Sequence, residues 1–160
     1  MAGGSRHAAR QAAVQALYQW DLTEQDPGEI EAHFIQQHDL KGADRNYFHI
    51  LINEVPLYRR EIEGNLQPYL DRDFNSVDPV ERAILRAAAY ELEYQHDVPT
   101  KVIINEAVEL AKTFGAEYGY KFVNGVLDRL AERLRTKESM QHTSNATTSA
   151  LREPDNLVKD

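Results

Sequence analysis

Residues 78–94 read DPVERAILRAAAYELEY, and this stretch decides the class of fold. Asp78 is a typical N-cap residue, Pro79 is favoured at the first helical position, and Glu81 is placed to complete a capping box. Apolar residues then occur on almost every side of a helical wheel, which is typical of a central helix rather than a surface one. The pattern predicts a buried helix over residues 80–94, around which the rest of the chain packs.

One charged residue lies on the apolar side of this predicted helix. Glu91 falls on the same stripe as Val80, Ile84 and Ala87, so we expect its carboxylate to be half-buried and to need hydrogen-bond donors. A structural role is the favoured interpretation. A catalytic acid is the alternative, but the sequence arranges no second carboxylate or histidine around it.

Apolar spacing on both sides of this stretch predicts further helices, and alternating strand-like runs are hard to find. The other predicted helices cover about residues 5–22, 29–38, 47–55, 57–66, 102–114 and 117–134. The fold class is therefore all-α, a bundle of about seven helices. In the seventh, Gly125 is expected to mark the close approach of a neighbouring helix.

The chain divides into an ordered part and a polar tail. Residues 71–76 are polar and are interpreted as the connection between two halves of one domain. Residues 136–160 are rich in Ser, Thr, Asn and Gln and poor in large apolar groups, a composition typical of disorder. We predict one helical domain over residues 1–135 and a mostly disordered tail over residues 136–160.

Composition excludes several classes of function. The 160 residues contain no cysteine, which excludes disulfides, thiolate metal sites and cysteine nucleophiles and suits a reducing cytosol. The six histidines have no metal-ligand spacing, and no phosphate-binding loop, dinucleotide-binding glycine motif or serine nucleophile elbow is present. No segment approaches the roughly 20 apolar residues that cross a bilayer, and the N-terminus has no signal-peptide pattern. We expect a cytoplasmic protein with no metal, cofactor or catalytic activity.

The charge balance restricts nucleic-acid binding to local sites. Lys and Arg number 18 against 26 Asp and Glu, for a formal net charge of −8, which works against broad polyanion binding. Arg6, His7 and Arg10 form the only basic segment without a carboxylate, because no acid precedes Asp21. They are candidate contacts for phosphate.

A second group combines aromatic rings with cations. Tyr118 and Phe122 share one stripe of the predicted seventh helix, Arg129 and Arg133 continue the stripe, and Lys121 projects beside it. Rings beside cations can stack on unpaired bases while the cations meet phosphate. The alternative, which spacing leaves equally open, is that Phe122 covers the rim of the bundle.

Tyr18 lies on the polar face of the first predicted helix, with Gln11 and Gln15. An exposed tyrosine in such a place is a candidate contact for a protein partner, although a solitary exposed ring often has no role. Spacing alone leaves both interpretations open.

Four segments together resemble a known family. They read AVQALYQW (residues 13–20), AYEL (89–92), INEAVELAKTFG (104–115) and KFVNGVLD (121–128). The chain resembles the NusB family of bacterial transcription antitermination factors, in collinear order over about residues 5–135.

The resemblance implies two three-helix halves plus an extra helix, and no catalytic activity. It implies binding to the boxA segment of nascent RNA, notably from ribosomal RNA operons, as a heterodimer with the ribosomal small-subunit protein NusE. The heterodimer then joins other Nus factors on RNA polymerase, and the elongating complex resists premature termination.

The resemblance also assigns roles to individual residues. RNA contacts match Arg6, His7 and Arg10 at the basic start and Tyr118, Lys121 and Phe122 in a second patch, and contacts with NusE match Tyr18 and Glu81. Two departures are present, because the arginine cluster at the start is thinner than in other members and Tyr118 stands where an acidic residue is frequent. A thinner arm lowers phosphate contact, whereas a ring in place of a carboxylate adds stacking, so the net effect on affinity stays open.

Two rival interpretations remain. NusB-like domains also precede the catalytic domain of some ribosomal RNA methyltransferases, but we expect no such domain here because only a short polar tail follows Leu134. A helical protein-interaction module without an RNA role is favoured instead if Tyr118 and Phe122 prove buried.

Overall fold

The computed structural model describes residues 4–148, with side chains described as far as residue 135. Within this part of the chain seven α-helices follow one another and no strand is formed. The helices are α1 (Arg6–Thr23), α2 (Pro27–Gln36), α3 (Arg45–Leu57), α4 (Arg59–Leu66), α5 (Pro79–Tyr94), α6 (Thr100–Phe114) and α7 (Gly119–Thr148). Single 3-10 turns at Gln67–Tyr69 and Phe74–Ser76 connect α4 to α5. The predicted all-α class is confirmed.

Six of the helices pack as two groups of three, and α5, a member of the second group, lies at the centre of the bundle. Helices α1, α2 and α3 contact one another, as do α5, α6 and α7, while α4 packs mainly on α5. This is the arrangement of two halves plus an extra helix that the resemblance implies. Helix α5 contacts α1, α3, α4, α6 and α7, so the central position predicted for it from its all-round apolar pattern is confirmed.

Local capping explains where most of the helices begin. The side chains of Ser5, Asp26, Asp44 and Asp78 each accept a hydrogen bond from a backbone N–H in the first turn of α1, α2, α3 and α5. These bonds satisfy donors that a helix start otherwise leaves without partners. At the other end of α3, Pro56 lies in the last turn, as expected for a residue that cannot continue a helix.

Helix α7 differs most from its prediction. It continues to Thr148, whereas the sequence pattern placed its end near Leu134. Good helix formers such as Lys137, Glu138 and Met140 continue the helix where we predicted disorder. Residues 149–160 of the predicted tail lie outside the described residues, and the domain boundary at residue 135 stays a prediction.

The predicted close approach of a helix at Gly125 is wrong. A β-carbon built at this residue would meet nothing within 4 Å. The glycine therefore serves no packing contact in the described part of the chain, and spacing alone could not distinguish a tight helix crossing from an open position.

The donors that Glu91 was expected to need come from α1 and α3. Nε and Nη2 of Arg10 each donate to a carboxylate oxygen of Glu91 at 2.8 Å, and the hydroxyl of Tyr47 donates to Oε1 at 2.5 Å. Burial and the charge of Glu91 raise the pKa of Tyr47. Burial lowers the pKa of Arg10, but the hydrogen bonds and charge of Glu91, with Tyr47 and Glu106, outweigh it, so this pKa is raised. The geometry fits a structural role, because one carboxylate ties three helices together.

Two further buried arginines hold α5 to its neighbours. The guanidinium of Arg86 lies 3.1 Å from the carboxylate of Asp21 on α1 and 2.6 Å from that of Glu63 on α4. Arg135 of α7 donates to the carbonyl of Leu92 at 2.9 Å, in the last turn of α5. A cation at that end also meets the negative end of the helix dipole.

In the described residues, no helix is long and apolar enough to cross a membrane.

The Glu91→Gln variant tests the buried pair. It removes the charge that compensates Arg10 while keeping the size of the side chain, and breaking one partner of a buried pair costs about 3–5 kcal/mol. We expect the free energy of unfolding in urea to fall by about 3 kcal/mol. Glu93→Gln on the same helix is the matched control and should change it by less than about 0.5 kcal/mol. Equal effects of the two variants would contradict the structural role.

Candidate functional site

The candidate residues lie at the two ends of α5. Helix α1 runs antiparallel to α5, since Arg10 contacts Glu91 and Asp21 contacts Arg82. The start of α7, at Gly119, lies against Glu81. With a rise of about 1.5 Å per residue, Glu81 and Glu91 are about 15 Å apart along α5. The basic start of α1 is therefore at one end, and Tyr118, Lys121 and Phe122 lie around the start of α7 at the other.

Arg10 is turned into the bundle rather than toward solvent. It is 6% exposed, and its guanidinium is held by Glu91 as described above. Its predicted contact with RNA stays a prediction, but the structure gives this residue a packing role that a helical wheel did not reveal. Arg6 is exposed, with its guanidinium 4.2 Å from the ring centroid of Tyr47 and its Nε 3.8 Å from the carboxylate of Asp44.

His7 also meets an acid. Its Nδ1 lies 2.7 Å from Oε1 of Glu106 on α6, and the same oxygen lies 3.9 Å from Nη1 of Arg10. The side chain of His7 is 51% exposed and that of Glu106 is 25% exposed. The segment that contains no acid in the sequence is therefore surrounded by carboxylates in the fold. Sequence reasoning missed Asp44 and Glu106 because they lie far along the chain, just before α3 and on α6.

Tyr118 is the most exposed ring of the second group. It precedes α7 instead of lying on it, so the predicted helical stripe is wrong for this residue. Its φ angle is 69°, a left-handed conformation that side chains with a β-carbon adopt at a cost. The ring is 63% exposed, and Nζ of Lys121 lies 5.4 Å from its centroid. A solvent-facing ring and an ammonium group are thus held side by side.

Phe122 is half-buried and packs against the hydrophobic core, which favours the interpretation that it covers the rim. The guanidinium of Arg72 lies 5.2 Å from its ring centroid. Arg72 was missed because it belongs to the polar connection at residues 71–76, which carried no motif. Its guanidinium is also paired with the carboxylate of Asp71, at 2.8 Å from Nε. We call the group formed by Tyr118, Lys121, Phe122 and Arg72 the ring-cation patch.

Arg129 and Arg133 do not extend this patch as free cations. Arg129 donates to the carbonyl of Tyr69 at 3.0 Å, and Arg133 donates to the hydroxyl of Tyr69 and the side chain of Asn65, both at 3.0 Å. Both arginines therefore attach α7 to the end of α4 and the 3-10 turn that follows it.

Glu81 is buried at the start of α7, and the capping box predicted for it is absent. Asp78 caps α5 through its own side chain, and no described residue donates a hydrogen bond to the Glu81 carboxylate. A β-carbon at residue 119 would lie 2.1 Å from Oε2 of Glu81, so glycine lets the carboxylate approach the helix start. Burial and the charge of Asp78 raise the pKa of Glu81, and Arg72 opposes them. Its contact with a partner stays a prediction.

Tyr18 lines an apolar groove, which we call the Tyr18 groove. The groove has a volume of about 500 Å³, and three of its apolar side chains, Tyr18, Leu22 and Phe114, are exposed. The remaining lining residues are Val14, Gln15, Gln19, Thr23, Phe34 and Val80. An apolar groove with polar groups at its edge is typical of a surface that binds another protein. Sequence spacing identified Tyr18 but not Phe114, which comes from the end of α6, nor Leu22, which lies four residues after Tyr18 on the same helix.

The described residues contain no group of three or more His, Asp or Glu side chains that could hold a metal ion.

Exchanging Tyr118 for glycine or alanine tests the backbone strain. Glycine adopts a positive φ at no steric cost, whereas alanine keeps the β-carbon. We expect Tyr118→Gly to be more stable than Tyr118→Ala by about 1 kcal/mol in urea unfolding. A glycine variant that is the less stable of the two would contradict the left-handed conformation.

Curated proteins of known function resemble this chain over most of its length. A family profile described as the NusB family matches residues 7–132. The transcription antitermination protein NusB of Haemophilus ducreyi is 48% identical over 132 residues, which cover 82% of this chain and 96% of the relative. NusB of Nitrosococcus oceani is 50% identical over 133 residues, which cover 83% of this chain and 89% of that protein.

Solved structures agree with these relatives. A crystal structure of the antitermination factors NusB and NusE in complex with double-stranded RNA matches with a TM-score of 0.74 and 29% identity, covering 80% of this chain and 96% of that one. NusB of T. maritima matches with a TM-score of 0.73 and 32% identity, covering 87% and 99%. Sequence and fold give the same assignment, and the chain belongs to the NusB family.

Proposed function

We propose that this protein is a transcription antitermination factor that binds boxA RNA of nascent transcripts, notably those of ribosomal RNA operons. It acts as a heterodimer with the ribosomal protein NusE and joins other Nus factors on RNA polymerase. The observation that carries the proposal is the match to NusB proteins along nearly their whole length. The proposal includes no catalytic step, and it places the protein in the bacterial cytoplasm, where transcription occurs.

The ring-cation patch is the proposed surface for unpaired bases. The exposed ring of Tyr118 offers a face for stacking, and Lys121, 5.4 Å from its centroid, is the cation that can meet phosphate. Arg72 lies 5.2 Å from the ring of Phe122 but is paired with Asp71, so a phosphate there has to compete with that carboxylate. Phe122 contributes the edge of its half-buried ring. Arg6 and His7, about 15 Å away along α5, are the proposed phosphate contacts at the other end.

The Tyr18 groove is the proposed site for NusE. Its exposed rings and aliphatic groups suit an apolar segment of a protein partner, and the related structure holds NusB with NusE and RNA. Phe114 lines the groove and is followed after a short turn by Tyr118, so a partner in the groove lies beside the ring-cation patch. One RNA strand could then contact both proteins.

Electrostatics explain why a partner is needed. The chain carries a net charge of −8, and the basic start of α1 is surrounded by carboxylates. Each cation at the start of α1 thus already has an anionic partner, so the lone protein should bind RNA weakly at this end, and a basic partner should supply much of the attraction.

A binding titration tests the proposal directly. Fluorescent boxA RNA is titrated with this protein alone and with an equimolar mixture of this protein and NusE. Both titrations are repeated with a fluorescent RNA of scrambled sequence. We expect the mixture to bind boxA at least about tenfold more tightly than the lone protein, because linked sites act together, and to discriminate against the scrambled RNA. Equal affinity of the lone protein and the mixture would count against the heterodimer.

Two tyrosine variants separate the surfaces. Tyr118→Ala should weaken RNA binding of the heterodimer by about 1–3 kcal/mol and leave the affinity for NusE unchanged in calorimetry. Tyr18→Ala should weaken the affinity for NusE by about 1–2 kcal/mol. With NusE in saturating excess, it should leave RNA binding unchanged. The assignment of the two surfaces is wrong if either variant affects both affinities equally.

The rival functions give different outcomes in the same titration. A helical protein-interaction module would bind NusE or another protein but no boxA RNA. A generic RNA chaperone would bind the scrambled RNA as well as boxA. The methyltransferase accessory module is disfavoured because the relatives matched over nearly their whole length are antitermination proteins.

A further inference from the structure

The basic start of α1 already holds an anion that belongs to the protein. Oε1 of Glu106 lies 2.7 Å from Nδ1 of His7 and 3.9 Å from Nη1 of Arg10. A phosphate oxygen that accepts from a cationic nitrogen takes a similar distance, about 2.7–2.9 Å. The carboxylate therefore stands where an RNA phosphate would accept a hydrogen bond from Nδ1 of His7.

Local charges favour this carboxylate as a competitor. Arg10 is also paired with Glu91, and Arg6 lies 3.8 Å from Asp44 and over the ring of Tyr47. Glu106 is thus a third anion beside two arginines and one histidine. With Glu106 ionised, its pair with His7 has a net charge of zero or −1, depending on the imidazole proton, so it gives no attraction for a polyanion.

We propose that Glu106 is an internal counter-ion that occupies the phosphate position beside His7 and Arg10, and that it keeps the RNA affinity of the lone protein low. RNA binds at this end by displacing the carboxylate from His7. The partly exposed positions of both side chains allow this exchange without opening the core. The inference rests on the proposed function. It names Glu106 as the residue that lowers the RNA affinity of the lone protein and so makes a partner necessary.

The same contact between Glu106 and His7 would be present if Glu106 favoured RNA binding instead of opposing it. Glu106 would then orient the imidazole so that its other nitrogen donates to phosphate, and its removal would weaken binding. Charge decides between the two roles, since exchanging Glu106 for an amide raises the charge of the pair by one unit in either protonation state of His7. We expect the added charge to have the larger effect on RNA binding, because it acts on a phosphate at contact distance, whereas an exposed ion pair contributes little to fixing a side chain.

The test compares Glu106→Gln with Glu109→Gln in the lone full-length protein. Both variants remove one negative charge from α6, but Glu109 is exposed and pairs with Lys112 of its own helix at 3.7 Å, whereas Glu106 pairs with His7 of α1. We expect Glu106→Gln to tighten boxA binding about three- to tenfold at low salt, and the gain to shrink in about 0.5 M salt because charges are screened there. Glu109→Gln should change the affinity less than about twofold.

A second measurement does not depend on RNA. Inorganic pyrophosphate is titrated into both variants and the unmodified protein, and the imidazole signals of His7 are followed by NMR. We expect saturation of Glu106→Gln at a lower pyrophosphate concentration than of the other two proteins. Urea unfolding of the variants confirms that the fold is retained.

The outcomes separate this inference from the proposed function. If the unmodified protein binds no boxA RNA with or without NusE, the proposed function fails, and the pyrophosphate titration still decides the role of Glu106. In another outcome, the unmodified protein binds boxA RNA as proposed while Glu106→Gln has the same RNA affinity as Glu109→Gln, or a lower affinity than the unmodified protein. That result would contradict the counter-ion role of Glu106 and leave the proposed function standing.

Discussion

The buried contact of Arg10 with Glu91 is the constraint on which the rest of the structure depends. It fixes α1 antiparallel to α5 and, through the hydroxyl of Tyr47, brings in α3. A carboxylate removed from water is costly unless donors surround it, so these three helices must assemble together. Their register places the Tyr18 groove beside the start of α5 and the basic start of α1 beside its end.

The sequence was sufficient for the fold class and for most helix boundaries. The Asp78-Pro79 start, the all-round apolar pattern of α5 and the side-chain caps act over a few residues, so they can be recognised without a structure. Helix α7 was harder, since its helical extension past Leu134 has no apolar face to mark it. The need of Glu91 for donors was predictable from its position, whereas the identity of Arg10 as the main donor was not.

The candidate site was predictable only in part, because charge neutralisation is a property of the tertiary fold. Arg6, His7 and Arg10 form a basic run in the sequence, yet Asp44, Glu91 and Glu106 reach them from α3, α5 and α6. Tyr118 was identified as a candidate but was placed on a helix that begins one residue later. The Tyr18 groove needs side chains from four helices, which no single-helix pattern can bring together.

Helix α7 contacts α5 at two points: Glu81 packs against Gly119 at the start of α7, and Arg135 binds the last carbonyls of α5. These contacts set the register of the two helices and, with it, the distance between the two ends of the bundle. A nucleic-acid strand that contacts both ends must span this distance. The number of nucleotides between its contacts then matters independently of which bases they are.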